Sequence, residues 1–164
     1  MKKMTSIIAI ILLAALLLTG CDFIPTKRDF SHYGFTFTIA GKVVEREGNK
    51  YGDARFRTVI GTISFTKQDI PSSSDINNVH QLAQEMAEYL KEDFKTDFSS
   101  VRVLGNGASY FVGGPIKQED GTKTMALCYF LQYGQEWWGI TCEALAEDFD
   151  QVAIIEFCMS AEFC

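Results

Sequence analysis

Between residues 101 and 142 the chain alternates apolar and polar positions and is cut by three tight-turn signals, Asn106-Gly107, Asp120-Gly121 and Gly134-Gln135. The first two suit a type I′ hairpin and the third a type II′ hairpin with glycine leading. Strand side chains alternate with a period of two, so a two-residue loop at each signal fixes the register of four antiparallel strands. One face then collects Val101, Val112, Tyr129 and Ile140 in one row and Val103, Tyr110, Leu131 and Trp138 in the next. Ile116 beside Met125 and Leu127 beside Cys142 continue it. All are apolar or aromatic, which predicts a four-strand meander with one buried face. The opposite face is mixed: Arg102, Phe111, Phe130 and Gly139, then Leu104, Ser109, Gln132 and Trp137, with Cys128 beside Thr141. Gly113-Gly114-Pro115 is expected to interrupt the second strand, because proline cannot donate to a ladder.

The flanking segments supply the rest of a core. Phe35, Phe37 and Ile39 alternate with Thr36 and Thr38, the pattern of a half-buried strand. A second short strand over residues 43–46 leads into the polar turn Glu47-Gly48-Asn49-Lys50. Residues 55–66 read as the longest strand of the first half, with a bulge expected where the alternation slips at Ile60-Gly61. After Pro71 and the serines at 72–74, Ile76, Val79, Leu82, Ala83, Met86, Ala87, Leu90 and Phe94 recur at helical spacing. Asn77 or Asn78 is placed to cap this helix, and Lys91 and Lys95 suit its negative end. A last helix carries Leu145, Phe149, Val152, Ile155 and Met159 on one face, widened by Ala153 and Phe157. Glu147, Asp148 and Asp150 stand near its start, and residues 161–164 form an extended tail. The fold class is α+β: an antiparallel sheet, built from the N-terminal strands and the meander, flanked by two helices. It occupies residues 34–164 as one domain.

The chain opens with Lys2-Lys3, an apolar run over residues 7–18 and small residues before Cys21, the three parts of a secretory signal. Twelve residues reach only about 18 Å as a helix against a hydrocarbon core of about 30 Å, so the run is a poor permanent span. Leu18-Thr19-Gly20-Cys21 resembles the bacterial lipobox. That resemblance implies removal of residues 1–20 and a diacylglycerol on the Cys21 thiol, each buried methylene adding about 0.8 kcal/mol of membrane affinity. Asp22 resembles the inner-membrane retention signal of enteric-type lipoproteins, which applies where the host has an outer membrane. The implied location is the extracytoplasmic face of the cytoplasmic membrane, with residues 21–33 as a tether. An ordinary secreted protein cut nearby is the alternative.

A chain starting at Cys21 keeps 144 of the 164 residues, enough to bury a real core. Loss of Lys2 and Lys3 leaves 13 of the 15 basic residues against 21 acids, a net charge of −8. Such a body repels phosphate backbones, so nucleic acid is not an expected partner. Under the meander register Cys128 and Cys142 point to opposite faces, whereas a disulfide needs Cβ atoms about 4 Å apart. A Cys142–Cys158 bridge is awkward, because a long last helix would carry Cys158 about 20 Å from its start. Cys158–Cys164 is local and feasible if the tail folds back; otherwise these thiols act as small apolar residues.

No GxSxG elbow, HExxH helix or phosphate-cradling loop occurs, and His32 and His80 have no neighbours at metal-ligand spacing. No catalytic set, metal site or cofactor is expected. A carboxylate pair that meets only in space leaves no sequence signature, so a hydrolase with two converging acids stays a third reading. Trp137 and Trp138 point opposite ways along one strand. Trp137, with Arg102, Leu104 and Phe111 on the mixed face, is the candidate contact surface. The simpler alternative is a Trp137 covered by a helix.

The order of elements, with Tyr33-Gly34-Phe35-Thr36-Phe37-Thr38-Ile39 at the start and Ile154-Ile155-Glu156-Phe157 and Ser160-Ala161-Glu162-Phe163 at the end, resembles the PsbP-like superfamily. The nearer likeness is to its DcrB-type bacterial lipoproteins. Ala40-Gly41 stands where those proteins place a proline. The resemblance implies an antiparallel sheet sandwiched between helices and a non-enzymatic, accessory role at membrane complexes, linked in DcrB-type members to envelope maintenance and phage entry. The leading expectation is a membrane-anchored module that binds an envelope protein. The alternative is a binder of a small apolar or aromatic ligand between sheet and helix.

Overall fold

Two kinds of turn set the architecture, one shorter than the other by a single residue. The structure, a computed structural model, describes residues 24–30, 34–46, 54–70, 75–93, 102–105 and 109–163. Strands β8 (Lys123–Tyr133) and β9 (Glu136–Leu145) join through the two-residue loop Gly134-Gln135, with Tyr133 opposite Glu136 and Gly134 at φ +59°. Their register is the expected one: Tyr129 opposite Ile140, Leu131 opposite Trp138, Leu127 opposite Cys142. Cys128 and Cys142 therefore do lie on opposite faces.

The turn between β7 (Ser109–Lys117) and β8 differs from the expectation. Gln118 N–H donates to Thr122 O at 2.8 Å, and Gly121 N–H donates to Gln118 O at 3.0 Å. Asp120 Oδ1 accepts from Thr122 N–H at 2.8 Å, which holds the Asp120 carboxyl below its ordinary range. The loop is three residues long, with Gly121 left-handed at φ +84°, the conformation that closes a turn followed by a bulge. One added residue slips the register by one and turns β7 over. Val112 stands opposite Cys128, and Phe111 opposite Tyr129. Strand β6 (Arg102–Gly105) pairs with β7 two residues along from the expected register, Val103 opposite Val112 and Leu104 opposite Phe111, which preserves parity. The expected rows joining Val112 and Tyr110 to Tyr129 and Leu131 are thus corrected: Phe111 takes their side, and Ile116 faces Thr124 rather than Met125. Val101 and Asn106-Gly107 lie outside the described residues. Strand β7 also runs unbroken through Gly113-Gly114-Pro115. Among the described residues the pairing with β6 ends at Gly113, and none pairs with Pro115 on that side, where a proline costs no ladder bond.

The first half holds a second correction. The expected long strand is a hairpin, β4 (Ala54–Thr58) and β5 (Gly61–Gln68), turning at Val59-Ile60. Thr58 Oγ1 accepts from Ile60 N–H at 3.3 Å and donates to Gly61 O at 2.9 Å, so a hydroxyl and a glycine make a turn from two β-branched residues. Strand β3 (Val44–Arg46) pairs with β4. The resulting seven-stranded sheet has the order β3-β4-β5-β9-β8-β7-β6. A separate three-stranded sheet joins β1 (Thr26–Phe30), β2 (Phe35–Ile39) and β10 (Glu162–Phe163) in the order β1-β2-β10. Residues 26–30, expected to be tether, are therefore part of the folded body, with Phe30 stacked on Phe37 at 5.1 Å.

Each face of the large sheet has its own helix. Helix α1 (Val79–Asp93) is capped by Asn78, whose Oδ1 accepts from Gln81 N–H at 3.0 Å, while Gln81 Oε1 accepts from Asn77 N–H at 2.6 Å. It buries Val79, Leu82, Ala83 and Ala87 on Val112 and Phe130. Helix α2 (Gln151–Met159) is capped by Asp150 Oδ1, which accepts from Val152 and Ala153 N–H. Its buried residues are Ile154, Phe157 and Cys158; Val152 and Met159, expected to face inward, are exposed. The helix is apolar nearly all round, so docking rather than pattern chooses its face. The second face of the sheet is closed by α2 and β2, and its core centres on Phe35 stacked over Phe65 at 3.9 Å, with Phe37, Phe56 and Phe157 around them.

Gly61, at φ +122°, lies so close to β9 that an added Cβ would sit 2.3 Å from the Glu143 carbonyl oxygen. Gly61→Ala is expected to cost about 2–4 kcal/mol, through a disfavoured φ and a backbone clash. Chemical denaturation of both proteins measures it.

Candidate interaction surface

The α1 side of the large sheet changes character from one edge to the other. Following the register from β3, one row reads Arg46, Arg55, Ser64, Thr141, Cys128, Val112 and Val103. The neighbouring row reads Val44, Arg57, Thr62, Glu143, Ala126 and Gly114. Helix α1 covers only the apolar end. Beside it lies a hollow of about 770 Å³, floored by Val112, Gly114, Ala126, Cys128 and Thr141 and walled by the β7–β8 turn. Toward β3 the face stays polar, and Arg46, Arg55, Arg57 and Thr62 line a second hollow of about 450 Å³.

The residues singled out in the sequence do not gather. Trp137 packs, partly buried, against the cluster that α1 forms with Val112 and Phe130. Phe111 is buried on the other side of the sheet in the phenylalanine core, its ring 4.5 Å from Tyr129. Register puts Arg102 opposite Gly113 and Leu104 opposite Phe111, so these three positions alternate to the face away from Trp137. Leu18, Thr19, Gly20, Cys21, Asp22, His32 and Cys164 lie outside the described residues, which leaves both the anchor and a Cys158–Cys164 bridge without a structural account. His80 is exposed and stacks on Tyr110, centroids 4.5 Å apart. Among the described residues no group of three or more His, Cys, Asp or Glu could hold a metal ion, and no helix is long and apolar enough to cross a membrane. Sequence reading missed the arginine row; Arg55 and Arg57, two apart on a strand, were the signal for it.

The chain superimposes on the solution structure of cyanobacterial PsbP (CyanoP) from Synechocystis sp. PCC 6803 with a TM-score of 0.56. The match spans 85% of this chain and 92% of that one at 14% sequence identity. The fold is PsbP-like. No protein-family model matches the sequence, and no curated protein matches it.

Within this PsbP-like fold the described thiols are free; Cys142 and Cys158 are buried and Cys128 is partly so. Cys128 Sγ lies 3.6 Å from Thr141 Oγ1, and burial pushes its thiol from an ordinary 9.0 to about 11. Cys142 is raised too, first by a hydrogen bond with the Cys158 thiol and then by burial. That contact corrects the expectation that Cys158 is carried away from Cys142: α2 is only nine residues long and lies back on the sheet. A thiol whose folded pKa is raised stabilises the fold fully below the unfolded value and loses that contribution as pH rises to the folded one. For Cys128 the window is pH 9 to about 11 and the loss about 2–3 kcal/mol. Cys128→Ala is expected to flatten this alkaline fall in stability, measured by denaturation across that range; an unchanged slope would assign the fall to other groups.

Proposed function

We propose that the protein is a lipid-anchored, non-enzymatic interaction module of the bacterial envelope, akin to the DcrB-type lipoproteins. In this reading residues 1–20 are removed and acylated Cys21 holds the domain on the extracytoplasmic face of the cytoplasmic membrane. Asp22 keeps it there in a host with an outer membrane. The bilayer is one partner and an envelope protein the other.

The observation that carries the reading is the half-open α1 side of the sheet. Apolar and polar rows meet there beside a helix that covers one end only, which suits a contact surface with an apolar centre and a polar rim. The lipobox supports the address. The PsbP-like fold supports an accessory role by analogy of fold. A second reading, a small apolar or aromatic ligand seated beside α1, draws on the 770 Å³ hollow, a size typical of ligand sites.

Two measurements test this. Palmitate labelling of cells is expected to mark the protein and to be lost in Cys21→Ser; persistent labelling of that variant, or none at all, contradicts the anchor. Crosslinking in native membranes through a photoreactive residue at Gly114 is expected to capture an envelope protein. Retention of a small molecule in native mass spectrometry, with no protein crosslink, favours the second reading.

A further inference from the structure

We infer that Arg46, Arg55 and Arg57, with the hydroxyl of Thr62, form a binding site for a phosphate oxyanion. Arg46 and Arg55 are directly opposed across the β3–β4 pair, and Arg57 stands two residues along β4 on the same side. Like charges in opposed positions destabilise a strand pair, so a face of three guanidiniums works against folding unless an anion completes it. The described surroundings do not complete it. Among the described residues no carboxylate forms an ion pair with any of the three, although exposed lysines elsewhere are matched, Lys27 with Glu162 and Lys67 with Glu136. Glu45 alternates to the other side of β3; Glu143, opposite Thr62 on β9, and Asp148 share a neighbouring hollow with Arg57 and Thr62 but make no ion pair with Arg57. The chain as a whole is acidic, with a net charge of −6, so the cluster is not a sample of a generally basic surface.

The chemistry selects the ligand. Guanidiniums present paired donors in a planar fork that matches the oxygens of a phosphate, and three of them line one hollow. Thr62 supplies a neutral donor at the hollow's edge, and the volume of about 450 Å³ admits a phosphate with part of whatever carries it. The polar hydroxyl row Ser64 and Thr141 continues from the site toward the hollow beside α1. Two sources offer this chemistry: the head group of an anionic phospholipid and a soluble phosphate. The site does not depend on lipidation of Cys21.

The test uses the full-length chain in non-ionic maltoside micelles, with nitrogen-15 spectra of the arginine side chains as readout. It is titrated separately with short-chain phosphatidylglycerol, phosphatidylcholine and inorganic phosphate. Saturable shifts of the Arg55 side-chain resonance with phosphatidylglycerol alone identify the lipid head group; saturation by inorganic phosphate identifies a soluble ligand. Either supports the site. Arg46→Gln/Arg57→Gln removes two exposed charges, which leaves the fold intact, and is expected to weaken binding about tenfold or more. Lys117→Gln/Lys123→Gln, which removes the same charge at the β7–β8 turn, is expected to change it less than about twofold, because screening confines such effects to about 10 Å. Absence of saturation by any of the three, or equal weakening by the two double variants, overturns the inference.

Discussion

The parity of a strand is the constraint on which this structure rests. Residues along β7 alternate between two environments with nothing in common: a phenylalanine core on one side, helix α1 and open water on the other. The three-residue turn at Glu119, Asp120 and Gly121 decides which residues go where. With Gly121 left-handed and the Asp120 carboxylate bridging to Thr122, Phe111 enters the core and Val112 receives the helix. A turn one residue shorter would exchange them and put Gly114 and Ala126 out of register with the hollow they floor.

That division gives the two faces separate tasks. The core side is sealed by β2 and α2, with rings from Phe35, Phe37, Phe56, Phe65 and Phe157 in mutual contact, and every one of these is essentially without exposed surface. Ser160 ties the end of α2 to β2, its Oγ accepting from Thr38 N–H at 2.9 Å. The α1 side is closed only where apolar residues lie. Its polar remainder, from the arginines of β3 and β4 through Ser64 and Thr141, is left uncovered by the described helices. Cys128, between the two zones, has its thiol pushed up by burial.

Much of this was legible in the sequence. Alternation marked β2, β8 and β9, helical spacing and an asparagine cap marked α1, and the Gly134-Gln135 turn fixed the β8–β9 register, including the opposed faces of Cys128 and Cys142. What failed was loop length. Asp120-Gly121 signals both a two-residue turn and the end of a three-residue one, and the difference is a single hydrogen bond from Gly121 to Gln118 that sequence does not display. Val59-Ile60 carries no turn residue at all; the turn there is made by the Thr58 hydroxyl and by Gly61 behind it, so the hairpin read as one bulged strand. The candidate contact surface inherited the first error, because Phe111 was placed beside Trp137 by the wrong register. The arginine row needed the β3–β4 pairing to become visible.

The most direct test of this account is a nuclear Overhauser spectrum of the aromatic side chains, because Phe111 marks the side to which β7 turns. The structure predicts cross-peaks between the Phe111 ring and the ring of Tyr129, 4.5 Å away between centroids, and none between Phe111 and Trp137. Cross-peaks from Phe111 to Trp137 or to the side chains of Leu82 and Ala83, with Val112 contacting Tyr129 instead, would reverse the faces and contradict it.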